Sequence, residues 1–492
     1  MNQFKMSKYL IIIIYLIFIS LGLPDSLLGS GWPVMQKDFD VDSSYAGYVS
    51  MTISAMTIIS ALFSAQITSR LKERWVIIIS IGLTCIGLIL FSFSKKYWNL
   101  FLFSVPYGLG AGSIDASVNN FVAIHYSSRV MNFLHCFYGV GSMISPNIMS
   151  LALKYKNWKQ GYRWTAYVQI GILAICFATL PLWKNEKEEN KEKENEENKK
   201  ESKKEIEESD NRVIKININH KNNNKDEGRN KKDIVAGAET IENLENKETE
   251  KNEEIKKKED KENEEVKVIS LLEAIKIKGV IFSCIAFFSY CSGEGTCFLW
   301  TSSFFDRTKE GLSKEAIASL STTIFGGLML GRVLSGLVSE RLGDKKLIRI
   351  GLIVEFVGII LVGIPVKTYI LAVIGYCLTN IGMGPIYPSI QHLAPIYFGK
   401  EASATVIGLQ MASAYVGTTF MPFVFGLIQS KTSMWAHPIY VGVFAILNCI
   451  FIEIEFKLCD KNVKDNCKNK EKEEIKEKEE KKENEENNKP NK

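Results

Sequence analysis

Three carboxylates stand where a charge is expensive. Asp25 follows Pro24 inside "LIIIIYLIFISLGLPDSLLGSGWPV" (10–34), Asp115 lies in "GLGAGSIDASVNNFVAIHY" (108–126), and Glu294 lies in "YCSGEGTCFLW" (290–300). A charge at the centre of a membrane helix costs about 2.5–3.5 kcal/mol on insertion scales. Such groups are expected to face a polar cavity and to act there. Proline removes one backbone hydrogen bond and bends a helix. Carbonyls freed beside Pro24 can take a ligand hydroxyl if the site lines a cavity. A carboxylate there can take and release a proton, which gives a carrier a group whose charge differs between steps. The plainer reading of Asp25 is an acid near the membrane surface, capping a helix or pairing with a base.

Asp115, Asn119 and Asn120 fall at i, i+4 and i+5, close together on one side of a helix. Together they offer donors and acceptors to a polyol; polar contact between helices is the alternative. The glycines flanking Glu294 imply a broken or closely packed helix. His135 can relay protons. Asn147, Gln169, Asn380, Gln391 and Gln410 are single polar residues in apolar stretches, each able to line a cavity. Trp32, Trp300 and Tyr387, with Tyr107, Tyr138 and Tyr415, can stack on a sugar ring, although helix packing or an interfacial belt would use the same residues.

These groups need elements to hold them. The chain has 492 residues, of which 46% are hydrophobic and 23% charged, and the two kinds are segregated. Twelve mainly apolar stretches are long enough to span a bilayer, at 9–30, 44–68, 75–93, 98–122, 132–153, 164–183, 274–304, 315–339, 347–365, 368–391, 402–428 and 434–456. The fold expected is an all-α membrane protein with a six-helix bundle over 1–183 and another over 268–456. Residues 184–267 and 457–492 are Lys-, Glu- and Asn-rich and lack the apolar content for a core, so they read as a disordered linker and tail. Acids and bases alternate there and the net charge is only +5, so no basic face for nucleic acid forms.

Ten cysteines are scattered without a C-x-x-C pair and read as small packing residues. The N-terminal apolar run follows Lys5 and Lys8 but lacks a small-x-small cleavage site, so it reads as the first span rather than a signal peptide. Short loops on both sides carry bases and do not fix the orientation. The long charged segments do: an even number of spans puts both termini and the linker on one side, taken as cytoplasmic, in a plasma membrane.

The two halves repeat. "SLGLPD" (20–25) parallels "SYCSGE" (289–294), which pairs Asp25 with Glu294. "SAQITSRLKERW" (64–75) parallels "SGLVSERLGDKK" (335–346), "GAGSID" (110–115) parallels "GMGPIY" (382–387), and "GSMISP" (141–146) parallels "GTTFMP" (417–422). The offset drifts only from 269 to 276 residues. Six spans per half keep both halves in one orientation, the parallel-repeat arrangement of carriers with a central site.

"GRVLSGLVSERLGDKK" (331–346) resembles the loop signature of the major facilitator superfamily through Gly336, Glu340, Arg341, Gly343 and Lys345. The first-half copy has Ala65, Ser69 and Lys72 where the pattern has glycine, acid and glycine, and keeps Arg70 and Arg74. A charged latch is therefore expected from the second copy. "GLPDSLLGSGWP" (22–33), "GLGAGSIDASVNNFVAIHY", "NFLHCFYGVGSMISP" (132–146) and "GMGPIYPS" (382–389) are similar to the fucose–galactose–glucose:H⁺ symporter branch. In that branch an acid on the first helix and one on the fourth serve proton coupling and sugar recognition. The resemblance implies those roles for Asp25 and Asp115; Glu294 rests on the repeat alone.

The reading is a secondary transporter of a monosaccharide or related solute, coupled to protons, working as a monomer with no cofactor or metal. "GLGAGS" (108–113) follows no strand and is no nucleotide loop; its glycines serve close helix approach. No nucleophile–base pair marks an enzyme. A uniporter or exporter of another solute, or a transporter-like sensor, remains as the alternative.

Overall fold

A computed structural model of the chain describes residues 8–42, 45–155, 157–183 and 269–487. The linker expected at 184–267 lies outside the described residues. The elements from Met6–Thr179 and Val268–Lys492 belong to one compact unit. Its first half contains α1 (Lys8–Gly22), α2 (Leu27–Asp38), α3 (Tyr45–Leu71), α4 (Glu73–Ser92), α5 (Tyr97–His125), α6 (Ser128–Tyr155) and α7 (Trp158–Ala178). Its second half contains the short α8 (Leu271–Lys276), then α9 (Val280–Thr308), α10 (Lys314–Leu342), α11 (Asp344–Gly363), α12 (Ile370–Met383), α13 (Ile386–Phe398), α14 (Lys400–Lys431) and α15 (Ala436–Asn487).

α1 and α2 are the arms of one broken span, and so are α12 and α13. Joined across these breaks, the described helices make twelve long elements, six in each half, plus α8. Eight are long and apolar enough to cross a membrane by composition. The other four, α5, α7, α10 and α11, are more polar: α5 carries Asp115, Asn119 and Asn120, and α11 carries Lys346, Arg349 and Glu355. Their backbone bonds close within each helix, as lipid requires. α15 continues past Lys457, where the sequence suggested an unstructured tail; Lys and Glu are good helix formers.

The repeat is a packing repeat. A Cβ on Gly110 would strike the Ser80 backbone of α4, and one on Gly112 would strike the Thr57 carbonyl of α3. Their counterparts behave alike: Gly382 abuts the Gly351 and Glu355 backbone of α11, and Gly384 abuts Gly331 and Arg332 of α10. Gly141 meets the Ile19 carbonyl of α1, and Gly417 meets the Phe288 carbonyl of α9. Helix backbones thus touch at equivalent places in both halves, the use of small residues that membranes favour.

A single residue joins α3 to α4, Lys72, and a single residue joins α10 to α11, Gly343. Their torsions nearly coincide, with φ 64° and ψ 151° for Lys72 and φ 74° and ψ 157° for Gly343. This end of the bundles is called the corner end below.

Candidate functional site

The break after Gly22 is where the first span turns toward the interior. Residues 23–26 form turns, and the Gly22 carbonyl accepts the Asp25 amide at 3.3 Å and the Ser142 hydroxyl at 3.3 Å. The carbonyl that Pro24 itself leaves without a helical partner is that of Ser20, which accepts from the Gln169 amide of α7 at 2.6 Å. Asp25 leaves the helix axis beside the Gly22 carbonyl, with one oxygen accepting from Tyr107 at 3.0 Å and the other from Tyr138. Asp25 stands between two cavities of about 290 and 310 Å³, both of which it lines with Tyr138, Tyr415 and Thr418.

The first cavity gathers the sequence-selected acids. Asp25, Asp115 and Glu294 all line it, together with His135 and Tyr387. Asp115 is 6% exposed, accepting from Tyr415 of α14 at 2.7 Å and from Asn119 at 2.8 Å. Glu294 sits on an unbroken α9. Its glycines serve packing, Gly295 against Thr418 and Pro422, so the broken-helix alternative does not hold. Tyr290 donates to Glu294 at 3.2 Å, and the Arg332 guanidinium lies 3.4 Å from it. His135 contacts Gln391 across the halves at 3.2 Å, and its ring meets Tyr387 edge-on at 4.7 Å. Gln391 and Tyr387 both reach the Met411 sulfur.

The other selected residues have structural partners. Asn120 accepts from Ser403 at 2.7 Å, a bond between the halves. Gln169 bonds the Ser20 carbonyl and accepts from Thr84 within the first bundle, and Gln410 bonds Ser283 within the second. Asn147 is exposed and bonds its own helix at Met143, while Asn380 is buried and bonds the Tyr376 carbonyl. Trp32 belongs to an apolar cluster with Met35, Tyr97 and Trp158, and Trp300 donates to the Pro422 carbonyl.

Three buried charged residues escaped the sequence reading. Arg332 lines the cavity from α10, within a stretch read only for its loop signature. Glu355 and Glu455 are buried acids in the second half, at 3% and 1% exposure. The tyrosines at 107, 138 and 415 were read mainly as packing, yet each holds a cavity carboxylate through its hydroxyl.

Cross-bundle bonds between described residues gather at the cavity and toward the corner end. Arg129 pairs with Glu340 at 3.0 Å. Ser128 donates to Asp344, whose other oxygen lies 2.7 Å from His392, which in turn reaches the Tyr126 carbonyl at 3.1 Å. Ser335 donates to Asn132 at 2.6 Å, and Gly336 packs on the Phe133 ring. Of the loop residues singled out, Glu340 joins the halves, while Lys345 bonds Asp460 within its own half. Arg70 and Arg341 are exposed at the corners, and Arg74 is half-buried there. The corner end is the closed end of this conformation.

The model of the Major Facilitator Superfamily matches residues 14–422 and 282–483. The chain is 18% identical over 470 residues to Bypass of stop codon protein 6 of Saccharomyces cerevisiae, covering 93% of this chain and 83% of that protein. Among solved structures it is similar to FucP, the E. coli fucose:proton symporter, in the outward conformation, with TM-score 0.63, 12% identity, and coverage of 90% of this chain and 99% of that one. It is similar also to the proton:xylose symporter XylE bound to 6-bromo-6-deoxy-D-glucose, with TM-score 0.62, 11% identity, and coverage of 91% and 94%. At such identities the likeness is one of fold. With the family match spanning both halves, the chain belongs to the major facilitator superfamily and is an integral, multi-pass membrane transporter, not an enzyme.

Proposed function

We propose that the chain carries a monosaccharide or similar small polyol together with a proton, by alternating access of the central cavity. The observation that carries this reading is Asp25, a carboxylate at a helix break, open to the cavity and held by two tyrosine hydroxyls rather than by a base. Such a group can be neutralised by a proton at one step and recharged at another. The cavity walls supply further carboxylate and hydroxyl groups at Asp115, Glu294 and Ser142, and aromatic rings at Tyr138 and Tyr387, a lining suited to hydroxyl-rich solutes. The likeness of 22–33 and 382–389 to the fucose–galactose–glucose:H⁺ branch, and a fold shared with two proton-coupled symporters, support the same reading. The corner end then faces the cytoplasm of a plasma-membrane protein, and the closed corner end corresponds to an outward-facing state. The two halves would rock about the cavity to expose it on the other side.

The test is transport in proteoliposomes. Asp25→Asn is expected to abolish uptake driven by a pH gradient while sparing solute exchange at equal pH. Full gradient-driven uptake by the variant would sink the proposal. A panel of sugars and polyols, with sodium varied in parallel, identifies solute and ion.

A further inference from the structure

Arg332 is 6% exposed, and every direction open to its charge matters. One terminal nitrogen faces the Glu294 carboxylate at 3.4 Å, and the other donates to the His135 carbonyl at 3.0 Å. Glu294 belongs to the same half as Arg332, and His135 to the opposite half. The Arg332 Nε is enclosed and makes no hydrogen bond. The guanidinium therefore stands as a bridge from an acid in one bundle to the backbone of the other, at the wall of the cavity.

The surroundings make that bridge sensitive to charge. Facing Glu294 from its own helix are Tyr290 and Cys291. From the neighbouring elements come Arg332 of α10, Asp115 of α5, His135 and Tyr138 of α6, Tyr387 of α13 and Tyr415 of α14, with Asp25 at the broken span and Glu355 on α11. Arg332 is the one guanidinium among the described cavity residues, and Glu294 is the acid it is paired with. A buried charge that loses its partner is costly. If Glu294 became neutral, the guanidinium would lose its one paired acid and keep only the His135 carbonyl as partner, so the geometry that two partners fix would be held by one.

We propose that Arg332 is a positioning residue that carries the charge state of Glu294 to the contact between the two halves. While Glu294 is ionised, Arg332 is held on the His135 carbonyl and the closed side of the cavity is braced. When Glu294 is neutralised, by a proton or by a ligand hydroxyl taking its place as partner, that brace is released and the corner end is free to part. This goes beyond the assignment of Asp25 and does not depend on which solute is carried.

The experiment uses the full chain in lipid nanodiscs without solute. Spin labels at exposed positions 69 and 346, on the two corners, report the distance between halves. Glu294→Gln is expected to raise the ratio of parted to closed corner ends by about tenfold or more, the effect of losing one hydrogen bond to a charged group. Arg332→Gln is expected to do the same, and the double variant no more than either single one. Arg332→Lys, which keeps the charge but cannot span both partners, is expected to part the corner end as well, and serves if Arg332→Gln does not fold. Unchanged distances in Glu294→Gln, or single shifts that add in the double variant, would overturn the proposal. Because no solute or gradient is used, this result is independent of the Asp25 transport assay.

Discussion

Two of the bonds that close the corner end lie in different surroundings, and they should contribute unequally. Ser128 and Asp344 are 7% and 9% exposed, and the hydroxyl donates directly to a carboxylate oxygen. A hydrogen bond to a charged group contributes about 1.5–3 kcal/mol. Arg129 and Glu340 lie 3.0 Å apart, but their side chains are 44% and 51% exposed. An exposed pair contributes about 0.2–1 kcal/mol and is screened by salt. Both bonds join the halves, so each counts only while the end is closed. Ser128→Ala should therefore shift the ratio of parted to closed states by about 10- to 150-fold, a coupling of 1.5–3 kcal/mol. Arg129→Gln should shift it by less than about fivefold, and less still in high salt. Distances between labels at positions 69 and 346 measure both. If Arg129→Gln parts the corner end more than Ser128→Ala does, the ranking by burial is wrong and the loop signature acts through its exposed charges.

Three other outcomes follow from the packing and the site. Tyr415→Phe removes a hydroxyl that binds Asp115 from the opposite half, and should slow proteoliposome uptake by about tenfold or more; unchanged kinetics would show that this bond is idle. Lys72→Gly should raise the thermal unfolding midpoint in detergent, because a side chain at that torsion costs about 1–3 kcal/mol while the added freedom of the unfolded glycine costs about 0.4–1 kcal/mol; a lower midpoint would refute this. Gly112→Val should abolish monodisperse protein on gel filtration by driving its side chain into the α3 backbone, whereas Gly29→Ala, with open space around it, should leave the profile unchanged.

The helices were legible because lipid imposes long apolar runs, and the repeat was legible because backbone contact demands small residues at equivalent turns. Asp25, Asp115 and Glu294 were legible because a carboxylate is costly in such runs, yet Glu355 and Glu455 lie in the runs at 347–365 and 434–456 and were passed over. What was not legible needed the third dimension. Asn120 and Asp115 lie on one side of α5, yet Asn120 reaches Ser403 while Asp115 reaches the cavity, and spacing along one helix cannot tell these apart. Arg332 lies inside the span read at 315–339 but was passed over, since the stretch from 331 was read only for the loop signature that follows it. The tyrosines carry two properties, and sequence alone favours the ring over the hydroxyl. The break at Gly384–Pro385 was also missed, because the same span reads as uninterrupted by hydropathy.

The two corners have a mechanical consequence. A loop of several residues can absorb a displacement by rotating about its own torsions. One residue between two helices offers only its own two torsions, so the pair can change its angle about that single point alone. α3 with α4, and α10 with α11, are therefore angle brackets with one pivot each. The two pivots share nearly the same setting, and Lys72 adopts in one half the backbone that glycine adopts in the other.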